Sequence, residues 1–243
     1  MRKTVVIVAI VVAVVAICTV LILKGWPGVL IGSGNLETEE YAFASFTRVE
    51  ISSAFEFQIR QSSSYSINVT ADDNVIDRVQ ISQDGQTLKI RVGGVPTSFR
   101  RVTLKASVTM PQLGGLTVSG ASRGTVANFN STEAVSIVVS GASRVTGDIT
   151  AGDIGFDVSG ASTVQLEGSA ADMVAIISGA SRFSLGDFTA NNADVNISGA
   201  STGTIYLDGR LDANVSGAST LLYIGDPVMG TINVSGASTL SKK

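Results

Sequence analysis

Beyond the first two dozen residues, apolar and polar positions alternate in short runs, the pattern of half-buried strands. Phe46-Thr-Arg-Val49-Glu-Ile51 and Phe55-Glu-Phe57-Gln-Ile59-Arg alternate in this way. So do Tyr65-Ser-Ile67-Asn-Val69, Val79-Gln-Ile81, Leu88-Lys-Ile90-Arg-Val92 and Val102-Thr-Leu104. Between them lie the turn-forming stretches Gln61 to Ser64 and Ala71 to Asn74, and the hairpin signal Asp84-Gly85. Asp73 to Asp77 predicts a single helical turn.

From Ser119 onward the alternation is interrupted at regular intervals by Ser-Gly-Ala-Ser. The tetrapeptide starts at Ser119, Ser140, Ser159, Ser178, Ser198, Ser216 and Ser235, at separations of 21, 19, 19, 20, 18 and 19 residues. A fixed period of this size predicts a solenoid, one coil per repeat. The fold expected is all-β: a parallel β-helix of about 19–20 residues per coil, preceded by an N-terminal transmembrane helix.

Each coil carries a strand before the motif and a strand after it. The residue before each tetrapeptide is always β-branched: Val118, Val139, Val158, Ile177, Ile197, Val215 and Val234. Two positions earlier stand Leu116, Ile137, Phe156, Ala175, Val195, Ala213 and Ile232. On the far side of the motif come Gly124, Val145, Val164, Phe183, Gly203, Leu221 and Leu240. Stacked in register, each set forms a core column with strands about 4.8 Å apart. Strict alternation from Val118 sends Gly120 and Ser122 inward, with Ser119 and Ala121 outward. The motif then reads as a tight corner with a ladder of serines, or as an outward face of small hydroxyls. Asn196, Asn214 and Asn233 also align, in a position to stack as an amide ladder.

The residue after each motif forms a further column: Arg123, Arg144, Thr163, Arg182, Thr202, Thr220 and Thr239. It is expected to face solvent, and it is the candidate binding face. Its three arginines suit an anionic polymer, or ion pairs with Asp and Glu on adjacent coils. The plain alternative is a solvated face on which Thr serves as a good strand former.

Thr4 to Leu23 is a run of twenty residues without a charge. As a helix it would match the thickness of a bilayer core. Arg2 and Lys3 before it hold the N-terminus in the cytoplasm and place the rest outside. The run exceeds the usual signal-peptide core, no small-x-small site follows, and Ile17 before Cys18 does not fit a lipoprotein signal. A retained membrane anchor is therefore favoured over a cleaved signal. The expected organisation is an anchor over 1–24, a linker over 25–40, a less regular β part over 41–115 and the repeat solenoid over 116–243.

Composition narrows the chemistry. The net charge is −3 and no basic run exists, which argues against nucleic acid. Histidine is absent and Cys18 is the only cysteine, so the commonest general base, an intrachain disulfide and thiolate–zinc sites are all missing. The carboxylates of the repeats sit mostly beside Gly at turns, where turn chemistry accounts for them. No catalytic, cofactor or metal residues are expected.

The runs Gly32-Ser-Gly34-Asn35, Phe46-Thr-Arg-Val49-Glu-Ile51, Phe55-Glu-Phe57-Gln-Ile59-Arg-Gln and Leu88-Lys-Ile90, together with the repeats, resemble the head GIN domain family. Its members are labelled auto-transporter adhesins. The resemblance covers about residues 32 to 240 and implies an extracytoplasmic β-solenoid with no active-site motif to carry over. The reading is a non-enzymatic, membrane-anchored adhesin or envelope-interaction module, extracytoplasmic and without cofactor. The alternatives are a carbohydrate-binding or polysaccharide-degrading β-helix and a structural envelope spacer. Expected partners are the membrane through residues 4–23, an envelope polysaccharide or surface protein, and a second copy through the C-terminal solenoid end.

Overall fold

A computed structural model of the chain describes residues 29–94 and 98–243. It is an all-β solenoid built from two parallel ladders joined at the Ser-Gly-Ala-Ser corner. The leading ladder holds the strands before the motif. Gly115–Val118, Val135–Val139 and Ile154–Val158 stack in that order. The second half of Thr163–Ile177, the second half of Arg182–Ile197, then Arg210–Val215 and Val228–Val234 follow. The trailing ladder holds the strands after it: Arg123–Asn130, Arg144–Thr150, the first halves of the two long strands, Thr202–Leu207, Thr220–Ile224 and Thr239–Lys242.

The register reproduces the columns read from the repeat. Val118, Val139, Val158, Ile177, Ile197, Val215 and Val234 are successive partners. Large and small residues alternate along the core. Phe57 lies against Gly124 in the next rung, whose missing side chain would meet the Phe57 ring. Phe183 is followed by Gly203. Phe156 packs edge-on against Phe183 at 4.9 Å between ring centres, beside the small Ala175. Volume is thereby conserved from rung to rung, as a close-packed interior requires.

Two expectations about organisation change. The solenoid does not begin at residue 116. Arg48–Ile51 pairs in parallel with Gly115–Val118, and Glu56–Gln61 with Arg123–Asn130. Between them Ser52-Ser53-Ala54-Phe55 turns the corner as a degenerate copy of the motif, with Phe55 buried in the place of the last serine. The intervening described residues, 62–94 and 98–114, form the cap of that end. Thr87–Val92 continues the leading ladder and Leu104–Met110 the trailing one. Antiparallel strands Val79–Asp84, Ser66–Asp72 and Leu36–Tyr41 then close them off. A helical turn, Asp73–Ile76, stands where the sequence predicted one.

The stretch 25–40 is not simply a linker. Val29–Ile31 pairs with Ser98–Arg100, and Leu36–Tyr41 belongs to the cap. Its charged and small residues hid strands that edge the sheet, where polar side chains are tolerated. The buried Asp72 carboxylate fixes this segment: Gly34 N and Thr103 N each donate to it at 2.7 Å. The apolar run 4–23, read as an anchor, lies outside the described residues. Among the described residues no helix is long and apolar enough to cross a membrane.

Candidate functional site

The corner comes first, because it sets which side chains reach the surface. In each repeat the motif glycine adopts a left-handed conformation, with φ between 65° and 79° from Gly120 to Gly236. This turns the chain and interrupts strict alternation, so Gly120 is exposed rather than inward. Ser122, Ser143, Ser162, Ser181, Ser201 and Ser219 do point inward and are buried. The first serines, Ser119, Ser140, Ser159, Ser178, Ser198 and Ser216, are half-buried at the corner, and Ser235 in the last rung is exposed. Backbone bonds run on round the bend: Ala161 N donates to Gly141 O at 2.8 Å and Ala180 N to Gly160 O at 2.8 Å. The ladder resumes at once, with Arg144 N on Ser122 O and Thr163 N on Ser143 O, both at 2.9 Å. The residue after the motif is thus the first outward position of the trailing strand.

The structure brings the post-motif residues into one column. Arg123, Arg144, Thr163, Arg182, Thr202, Thr220 and Thr239 are consecutive partners. Toward the cap the same column continues through Glu56, Lys105 and Thr70. A second outward column runs beside it: Ser107, Gln58, Thr125, Thr146, Gln165, Ser184 and Thr204. A third carries Asp148, Glu167 and Asp187 in register.

At the capped end these columns line a depression of about 550 Å³, with Lys105, Glu56, Arg123 and Arg144 along one side. Asn68, Thr70, Ser107, Gln58, Thr125 and Thr146 complete it. Thr146 also borders a smaller hollow of about 330 Å³ lined by Gly147, Asp148, Gln165 and Glu167. The two depressions lie side by side on the trailing ladder and together outline a shallow groove there. Three cations face one carboxylate in the depression, although the whole chain carries a net −3.

The cations are exposed and free. Among the described residues the ion pairs are Lys89–Asp84, Arg210–Asp212 and Lys242–Asp226. Arg123 has Glu56 as its neighbour in register, yet neither it nor Arg144, Arg182 or Lys105 has a carboxylate within pairing distance. Of the two roles open to the arginines, pairing along the solenoid is therefore not the one observed. The aromatic residue in the lining, Phe57, is buried, as are Phe129, Phe156, Phe183 and Phe188 in the core, so no exposed aromatic stacking platform lines the depression. Among the described residues no set of three or more Asp, Glu or Cys side chains is placed to hold a metal ion.

Sequence reasoning missed Glu56, Gln58, Lys105 and Ser107, because their rungs lie beside the repeats in space but not in sequence. The run Ser52-Ser53-Ala54 followed by alternating Phe55-Glu-Phe57-Gln-Ile59 was the available signal.

The fold is shared with solved structures. A putative adhesin from Bacteroides fragilis NCTC 9343 superposes with a TM-score of 0.83 at 21% identity, over 88% of this chain and all of that one. A putative adhesin from Parabacteroides merdae ATCC 43184 gives 0.69 at 16% identity, over 89% and 99% of the two chains. A protein described as a putative lipid binding protein from Parabacteroides distasonis ATCC 8503 gives 0.63 at 18%, over 88% and 99%. No curated protein matches the chain. The match that carries identity runs over residues 45–227, and by it the chain belongs to the family described as putative auto-transporter adhesin, head GIN domain.

Proposed function

We propose that the protein is a non-enzymatic recognition module of the cell envelope, held to the membrane through residues 4–23 and displaying the solenoid outside the cell. Family membership supports a surface role. The observation that carries the recognition reading is the groove on the trailing ladder. Unpaired cations stand there on a rigid parallel sheet beside a row of hydroxyls and amides. The strands preset where these side chains leave the scaffold, so the spacing of the cations is fixed before any ligand binds, which favours a binding role for them. The charged and hydrogen-bonding side chains gathered in the groove support recognition by ion pairing and hydrogen bonds.

The test is binding of the full chain to an array of glycans and cell-envelope polymers, beside the variant Arg123→Ala/Arg144→Ala/Arg182→Ala. Saturable binding that the variant loses is the expected result. Binding to no surface would replace this reading with that of a structural spacer, and binding that the variant retains would place the recognition site away from these arginines.

A further inference from the structure

We infer that the groove takes a linear acidic polysaccharide, lying along the solenoid axis with its carboxylates toward Lys105, Arg123 and Arg144 and, beyond the groove on the same column, Arg182; the inference rests on the recognition reading above. These cations share one outward column, and Glu56 and Thr163 occupy its intervening rungs. Rungs lie about 4.8 Å apart, so successive cations are separated by about 10, 5 and 10 Å. A sugar residue in an extended chain advances by nearly one rung. A polymer with a carboxylate on every sugar, or on every second one, can therefore meet several cations without bending. A compact ligand would reach only one or two.

The groove is also polar across its width. On the rungs of Arg144, Thr163 and Arg182, four or five residues further along each strand and roughly 13 Å away, stands the acidic column Asp148, Glu167 and Asp187. Asp148 is already engaged by Asn128 N at 2.7 Å, which orients it. Thr146 and Gln165 lie between the two banks. In an extended uronic-acid chain successive sugars are turned about the chain axis, so each edge presents a carboxylate at about every second sugar and hydroxyls between them. Carboxylates on the edge beside the cations meet them, while hydroxyls on the far edge donate to the acidic bank. Polyphosphate is charged on every unit and has no hydroxyl to donate, so it would bring only like charges to Asp148 and Glu167.

The experiment uses the full chain in detergent and a fluorescent oligogalacturonate long enough to span Lys105 to Arg182, about 24 Å. A neutral oligogalactose, the galacturonate monomer and inorganic polyphosphate are compared with it. Saturable binding of the oligogalacturonate alone is expected, weakened about tenfold or more by Arg123→Gln/Arg144→Gln and by added salt. Asp148→Asn/Glu167→Gln should admit polyphosphate. Unchanged thermal melts would show that these surface variants remain folded, with Arg91→Gln, at an exposed arginine on the leading ladder away from the groove, as a neutral control. Equal binding of polyphosphate or of the neutral oligomer by the unaltered protein would overturn the inference, as would indifference to the Arg123/Arg144 change. Failure of the oligogalacturonate, with array binding still lost in the triple alanine variant, overturns the ligand class and leaves the recognition role standing. Failure of both removes the role as well.

Discussion

At the scale of the residue, the strictness of Ser-Gly-Ala-Ser follows from backbone geometry. A Cβ on Gly160 would lie 2.3 Å from Gly141 O and one on Gly179 2.3 Å from Gly160 O, with φ already at 76° and 77°. Steric conflict and left-handed strain act together, so Gly160→Ala is expected to cost roughly 1–3 kcal/mol, read from urea denaturation. Ala121 is the exception: it holds φ at 69° without being glycine. Ala121→Gly should therefore stabilise the protein slightly, by roughly 0.5 kcal/mol after the entropy cost of glycine. The serines differ among themselves. Ser181 Oγ donates to Ser178 O at 2.8 Å, whereas Ser122, Ser143 and Ser162 have no partner for their buried hydroxyls among the described residues. Ser181→Ala should lower stability by about 1 kcal/mol, and Ser162→Ala should leave it unchanged or raise it, as thermal melts would show.

At the scale of the element, two carboxylates replace missing ladder bonds. Asp72 is buried at the edge of the cap and holds two backbone N–H groups from separate segments. Asp72→Ala orphans both, and a loss of roughly 2–4 kcal/mol is expected, with faster hydrogen exchange at Gly34 and Thr103. Asp212 acts where the register of the leading ladder shifts between Leu211 and Ala213. It accepts from Arg210 Nε at 2.6 Å and from Thr231 N at 2.6 Å. The Arg210 guanidinium, then the Thr231 amide, hold its carboxyl down to about 2. A depressed folded value means that this contribution is complete above the ordinary aspartate range. It is lost as pH falls toward 2. Amide exchange at Thr231, corrected for its intrinsic pH dependence, should accordingly accelerate between about pH 4 and pH 2. Acceleration already at neutral pH would contradict the assignment.

At the scale of the whole molecule, the strands of each coil pair only with those of the adjacent coils, so stability is close to a sum over rungs and interfaces. A defect in one middle rung should then divide the solenoid. In Gly179→Ala, hydrogen exchange is expected to rise in the rungs from Ala193 onward while Arg48–Gln61 and the cap strands stay protected. Uniform loss of protection would show instead a single cooperative unit. The cap matters to function as well as to stability. It sets Lys105 and Ser107 on the same ladder as Arg123 and Thr125, and so builds the deeper end of the groove.

The repeat, the parallel coils, the core columns and the outward column from Arg123 to Thr239 were all determined by the sequence itself. Each depends on alternation within one strand, or on a period carried by neighbouring segments, and these are local quantities. The first rung, the cap and the composition of the groove were decided by tertiary structure alone. Lateral neighbours in a solenoid are separated by a whole coil, and Glu56 and Arg123 are joined across an inserted cap. No pattern within a strand records that pairing. The corner shows the same division at smaller scale. Its glycines were visible in the sequence, but the left-handed turn that carries Gly120 outward, and returns Ser122 to the core, depends on the close approach of the adjacent coil.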